Sequence, residues 1–202
     1  MFKEDKNFVA LDLELNNGPD NSTPNPKIIQ VGVSIGNITQ DPKDFLNVKW
    51  YIDPEEKLFP KITELTGITD EDISSYAVSH KKLAEELFEL LVEKDVMKNC
   101  ITWGGGDVEC LLNEFSDRKI EFKGFQRKEI DVSNLYMFLM LGSKKNPFAG
   151  LKSAMSEFKI NFMGEAHRAD IDAFNTLVFF FSLVRRQMEL EKMLSIGKFL
   201  RR

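Results

Sequence analysis

Cysteine is scarce in this chain. Cys100 and Cys110 are the only two among 202 residues. Neither has a second thiol or a histidine at metal-ligand spacing, so they make no disulfide framework, and a reducing, cytoplasmic setting is expected. Long apolar runs are missing too. The longest, Leu177–Phe181 extended through Val184, is far short of the ~20 residues a membrane-spanning helix needs, and reads as a buried helix. Met1–Lys6 is polar and charged, unlike a secretory signal. An excess of positive charge is also lacking: 27 Lys and Arg stand against 32 Asp and Glu, a formal net charge of −5. That is the wrong sign for a protein that neutralises phosphates with its own side chains. Either the partner is not a polyanion, or metal ions carry the positive charge to the point of contact. Histidine is as rare as cysteine, with His80 and His167 alone.

What is present suits one domain. The chain is 43% hydrophobic, includes 17 Phe, and shows no repeat, linker or low-complexity stretch. A single domain over 1–202 is expected, with its core at about 8–183 and a C-terminal helix or tail at about 184–202. Alternation predicts strands over Phe8–Leu15, Ile28–Gly36 and Val48–Pro54, the first two separated by the Asn- and Pro-rich loop Asn16–Lys27. A short helix ends at Gly67; Thr69 with Asp72 forms a capping box, and Ser79 caps the next helix. That helix carries Leu83, Leu87, Leu90 and Leu91 on one face and presents His80 to solvent at its start. Short strands at Asn99–Trp103 and around Ile130 then alternate with helices, the last running from about Ala169 to Leu194. The expected fold class is α/β: a mixed five-stranded sheet, three antiparallel strands and then parallel ones, flanked by helices.

Within the first strand, "FVALDLEL" places Asp12 and Glu14 on one face and Leu11, Leu13 and Leu15 on the other. Two like charges on a partly buried face repel, and each costs several kcal/mol in lost hydration unless something positive compensates it. An edge strand with a solvated face would explain them; so would a metal. Asp107 follows "TWGGG" at a strand-to-helix junction, and Asp172 lies in the first turn of the last helix. Taken singly, each suits a helix dipole, worth roughly 0.3–1 kcal/mol. His167 stands five residues before Asp172. On one continuous helix the two would not share a face, so they meet only if His167 sits on the preceding loop. An imidazole there would be free to move, as a general base requires.

Together, "LDLEL", "TWGGGD" and "HRADID" resemble, in order and spacing, the three sequence blocks of the DnaQ-like 3′–5′ exonucleases, in the branch with a histidine in the last block (DEDDh). "IIQVGVSIGN", "ITELTGITDEDI", "EIDVSNLY" and the run from Gly150 to Thr176 extend the likeness over about residues 8–183. The proofreading branch usually has Thr-Thr-Gly after the Asp-x-Glu and His-Asn before the second-block Asp. Here those places hold "LNN" and "WGGG". Trp-Gly looks more like the branch that trims the 3′ ends of small and structured RNAs, which leaves DNA against RNA open.

The resemblance implies a ribonuclease-H-like fold and removal of nucleoside 5′-monophosphates from single-stranded DNA or RNA 3′ ends, short oligonucleotides included. Asp12, Glu14, Asp107 and Asp172 would hold two divalent cations, Mg²⁺ or Mn²⁺, and His167 would take the proton from the attacking water. Two such ions add +4 to the −5, which removes the objection from net charge. Leu13, Leu15, Trp103, Phe148 and Lys145 are the candidates for holding substrate, although Leu13 and Trp103 also suit core packing. Family members often pair as homodimers or serve beside a polymerase or other protein, so such partners are admitted. A DnaQ-like module that only binds a nucleic-acid end or a partner is the alternative; a lapsed site would be expected to have lost at least one of these five residues.

Overall fold

A computed structural model of the protein describes residues 5–18, 23–142 and 148–199, with side chains as far as Leu194. β1 (Phe8–Asn16), β2 (Lys27–Gly36) and β3 (Leu46–Ile52) form an antiparallel meander. α1 (Pro60–Thr66) and α2 (Asp70–Tyr76) follow, then the two-residue β4 (Ala77–Val78) and α3 (His80–Glu93). β5 (Ile101–Thr102), α4 (Asp107–Asp117), β6 (Ile130–Asp131), α5 (Val132–Met140), α6 (Leu151–Glu157) and α7 (Ala169–Phe199) complete the chain. The sheet order is β4-β3-β2-β1-β5-β6, with β5 parallel to β1, β6 parallel to β5, and β4 parallel to β3.

The sheet therefore has six strands where the sequence predicts five. The addition, β4, is two residues long at the edge of β3, and no alternation can be read from two residues. The local signals elsewhere hold. Thr69 and Asp72 form the capping box, Ser79 caps α3 through Lys82 N–H, and Gly67 closes α1 at φ 69°. α7 runs further than predicted, to Phe199.

Period-two alternation sorts β1 between two cores. Val9, Leu11 and Leu13 pack under α3 and α4 against Leu83, Leu87, Leu111 and Phe115. Phe8 and Ala10 turn to the other face, where α7 contributes Ala173, Leu177 and Phe179–Phe181. Burying one such Leu or Phe side chain stabilises the fold by about 1.5–3 kcal/mol. A third cluster, Ile29, Leu58, Ile62, Ile68 and Ile73, seats α1 and α2. Two polar residues act as pins. Asn16, fully buried, donates to Glu56 Oε1 and the Lys57 carbonyl and accepts from Phe59 N–H, fixing the end of β1. His80 is the other, and it is not on the surface: it is 8% exposed, with Nε2 2.7 Å from Glu114 Oε2. Its neighbours Lys81 and Lys82 point outward and mislead a local reading, whereas the partner lies 34 positions along the chain.

Candidate active site

The site forms where the even-numbered side of β1 runs out of apolar residues. Past Phe8 and Ala10, the same face presents Asp12 and then Glu14, across from Gly32 and Gln30 of β2. Gly32 is what lets a helix approach: a Cβ there would stand 2.0 Å from the carbonyl carbon of Ala169. With no side chain in the way, the first turn of α7 lies directly on β2. Gln30 fixes it, its Oε1 accepting the Ala169 N–H at 2.9 Å, one of the donors a helix start leaves unpaired. Asn175, fully buried, bonds Met163 N–H, Met163 O and Ile171 O, and so ties the preceding loop to the same turn.

This docking brings Asp172 to β1. Carboxylate oxygens of Asp12, Glu14 and Asp172 all lie within 4.8 Å of one another. Asp107 arrives from the opposite side as the first residue of α4, behind three glycines in the left-handed region, Gly104 (φ 97°), Gly105 (φ 70°) and Gly106 (φ 96°). His167 stands outside the helix at φ 65°, its imidazole exposed, while its backbone N–H donates to Asp172 Oδ2 at 2.8 Å. The placement of His167 on the loop before α7 agrees with the five-residue offset from Asp172.

The carboxyls disturb one another. Lost hydration and then the charges of Asp107, Glu14 and Asp172 push Asp12 well above the usual carboxylate range. Glu14, 9% exposed, rises to about 8, first by burial and then through Asp172 and Asp107, with Arg168 as a partial offset. Asp107 rises to about 7 by burial and by the charges of Glu129 and Asp131. Asp172 is raised by burial against the lowering effect of the His167 N–H. Among the described residues, Arg168 is the cation that offsets Glu14; it is half-buried and bonded to Tyr51 Oη at 3.0 Å. One guanidinium does not balance four carboxylates. The donor set fits a divalent cation: oxygen ligands only, close together, short of positive charge, as hard Mg²⁺ or Mn²⁺ requires.

The substrate candidates separate. Leu13 is 8% exposed in the core beneath the sheet, facing away from the carboxylates, so alternation leaves it no surface for a base. Leu15 is half-buried beside a register shift at Glu14/Leu15 and packs against the same core as Leu13, with part of its side chain left open. Trp103 is half-buried with its ring against Tyr136 and Phe179, at centroid distances of 6.1 and 5.9 Å. Phe148 is 75% exposed, and Lys145 lies outside the described residues. Two cavities of about 670 and 640 Å³ flank Lys119–Lys123 and contain none of these carboxylates.

Sequence reasoning missed Gln30, Gly32, Arg168, Glu129 and Asp131. Only the last two had a signal, acids at the end of a strand that the topology sets beside β5.

A sheet of this order, with Asp12 and Glu14 on β1 and acids at the starts of α4 and α7, has the ribonuclease-H-like fold. The chain belongs to the exonuclease family RNase_T, whose profile matches residues 9–180. Solved structures agree on the fold. The nuclease domain of 3′hExo, described as a DEDDh family member bound to rAMP, superposes with a TM-score of 0.75 at 16% identity, over 90% of this chain and 92% of that one. A 3′-exonuclease solved for 3′-end specific recognition of histone mRNA stem-loop gives 0.75 at 15%, over 90% and 82%. Cell-death related nuclease 4 gives 0.76 at 16%, over 90% and 64%. No curated protein matches in sequence. Among the described residues no helix is long and apolar enough to cross a membrane.

Proposed function

We propose that this exonuclease is metal-dependent, works from the 3′ end of single-stranded DNA or RNA, and releases nucleoside 5′-monophosphates. The observation that carries the reading is the meeting of Asp12, Glu14 and Asp172 within 4.8 Å, with Asp107 near enough to shift Asp12. Asp12 feels the charges of all three of the others, Asp107, Glu14 and Asp172. Glu14 and Asp172 would hold one ion with Asp12, and Asp107 the second. Two such ions, when bound, would stabilise the attacking and leaving oxygens of an in-line phosphodiester cleavage.

The chain's own groups do the rest. His167 is anchored to Asp172 by its backbone, not its ring, so the exposed imidazole is free to accept the proton of the attacking water. Arg168, beside Glu14, offers a guanidinium suited to a phosphate oxygen. Leu15, Phe148 and, outside the described residues, Lys145 are proposed to receive the terminal nucleotides; the partly covered ring of Trp103 offers an edge at most. Two structural neighbours were solved with a ribonucleotide and for a stem-loop RNA 3′ end, which favours RNA as the first substrate to try.

The test is digestion of matched 5′-labelled single-stranded DNA and RNA, and of very short oligonucleotides, with Mg²⁺, Mn²⁺ or EDTA, beside Asp12→Ala. A ladder shortening from the 3′ end, lost in EDTA and in the variant, is expected. No ladder on any substrate, with metal binding intact, would overturn catalysis in favour of a binding role.

A further inference from the structure

The loop that delivers Asp107 has an ordering problem. Three successive glycines lose the most backbone freedom on folding, and Gly106, as the residue preceding α4, has no side chain with which to cap it. Order has to come from outside the loop, and two carboxylates supply it. Asp131 Oδ1 accepts the Gly104 N–H at 3.1 Å, and Glu129 Oε1 accepts the Gly106 N–H. Asp131 has a second duty, capping α5 through Ser133 N–H and Asn134 N–H. Glu129 has none that the structure shows: its Oε2 is buried and meets no donor among the described residues. The fit is close, since a Cβ on Gly105 would stand 3.0 Å from Glu129 Oε1 and 3.5 Å from Asp131 Oδ2.

We infer that Glu129 is a positioning residue of the metal centre: by holding Gly106 N–H it fixes the triple-glycine loop, and with it the place of Asp107 opposite Asp12. The inference rests on reading Asp107 as a metal ligand. Glu129 itself need touch neither ion nor substrate. Partners of this outer kind typically change metal affinity or activity by about 10–100-fold when removed.

The experiment is calorimetric titration of Mn²⁺ into the metal-free full chain, for wild type, Glu129→Ala, Glu129→Gln and Gly105→Ala, with melting curves and 3′-end digestion alongside. Glu129→Ala is expected to weaken Mn²⁺ binding about 10–100-fold. Glu129→Gln, whose amide oxygen can still accept the Gly106 N–H, should stay close to wild type. Gly105→Ala strains a left-handed residue as well as pressing on Glu129 Oε1, so it should also weaken binding but serves only to show that the loop matters. Wild-type affinity in Glu129→Ala would overturn the inference, as would a loss in Glu129→Gln as large as that in Glu129→Ala; if Glu129→Ala does not fold, a loss of about 10-fold or more in Glu129→Gln overturns it. A wild type that binds Mn²⁺ yet digests nothing would sink the proposed reaction alone; weakening by Glu129→Ala with near-wild-type binding in Glu129→Gln would still support the clamp.

Discussion

Stripped of metal, the protein should lose stability as pH rises, and Glu14→Gln should remove much of that loss. Burial and the charges of Asp172 and Asp107 hold the Glu14 carboxyl at about 8, against 4.5 for an ordinary glutamate. Below pH 4.5 both folded and unfolded chains keep the proton, and the group costs nothing. Between 4.5 and 8 the unfolded chain has released it and the folded chain has not. The folded state then falls behind by about 1.36 kcal/mol per pH unit. From pH 5 to pH 7 that amounts to roughly 3 kcal/mol from this group. At about 2–4 °C per kcal/mol for a chain of this size, the melting temperature should drop by about 6–12 °C. Asp107, held at about 7, adds a loss of the same sign that levels off sooner. Melting curves in EDTA at pH 5, 6, 7 and 8 measure the slope; Glu14→Gln should keep only the part due to the other carboxyls. Saturating Mn²⁺ should raise the curve and flatten it, because the ion binds the ionised cluster of the folded state. A wild-type melting temperature that is flat with pH in EDTA, or an undiminished slope in Glu14→Gln, would refute the account.

Gly32→Ala should destabilise by roughly 1–3 kcal/mol, as overpacking does, and weaken Mn²⁺ binding, because the added carbon meets helix backbone that cannot swing aside; urea melts and calorimetry read both effects. His167→Ala should lower kcat by about 10²–10⁴ with Mn²⁺ affinity nearly unchanged, and equal activity would exclude the imidazole as the base. Glu114→Ala strips the acceptor from His80 and from Ile28 N–H, at about 1–3 kcal/mol for each buried group left unmade, without altering the four carboxylates. Denaturant midpoints would show it, and an unchanged midpoint would mean that the pin carries no load.

The carboxylates and the histidine were legible because each sits in a local context of its own: a strand interrupted by acids, a glycine turn, a helix start. The helix caps were legible for the same reason, since Thr69 and Asp72 answer each other within one turn. What assembles the site was not. Nothing around Gly32 announces that Ala169 will rest on it, and nothing around Gln30 announces which N–H it will accept. The burial of His80 and the clamp at Glu129 depend likewise on partners that only the folded sheet brings near. Leu13 shows the opposite limit. It stands between two site residues in sequence, and alternation alone turns it into the core.

The bond that seats α7 joins Gln30 to Ala169 across 139 positions of chain. Translation makes the β1–β2 hairpin early, and its acids then wait for a helix that emerges more than a hundred residues later. Until that helix leaves the ribosome and docks, Asp12 and Glu14 have no Asp172 and Gln30 has no N–H to accept. The candidate centre thus cannot be completed before α7 has docked, and a product lacking α7 would carry the acids of β1 without Asp172.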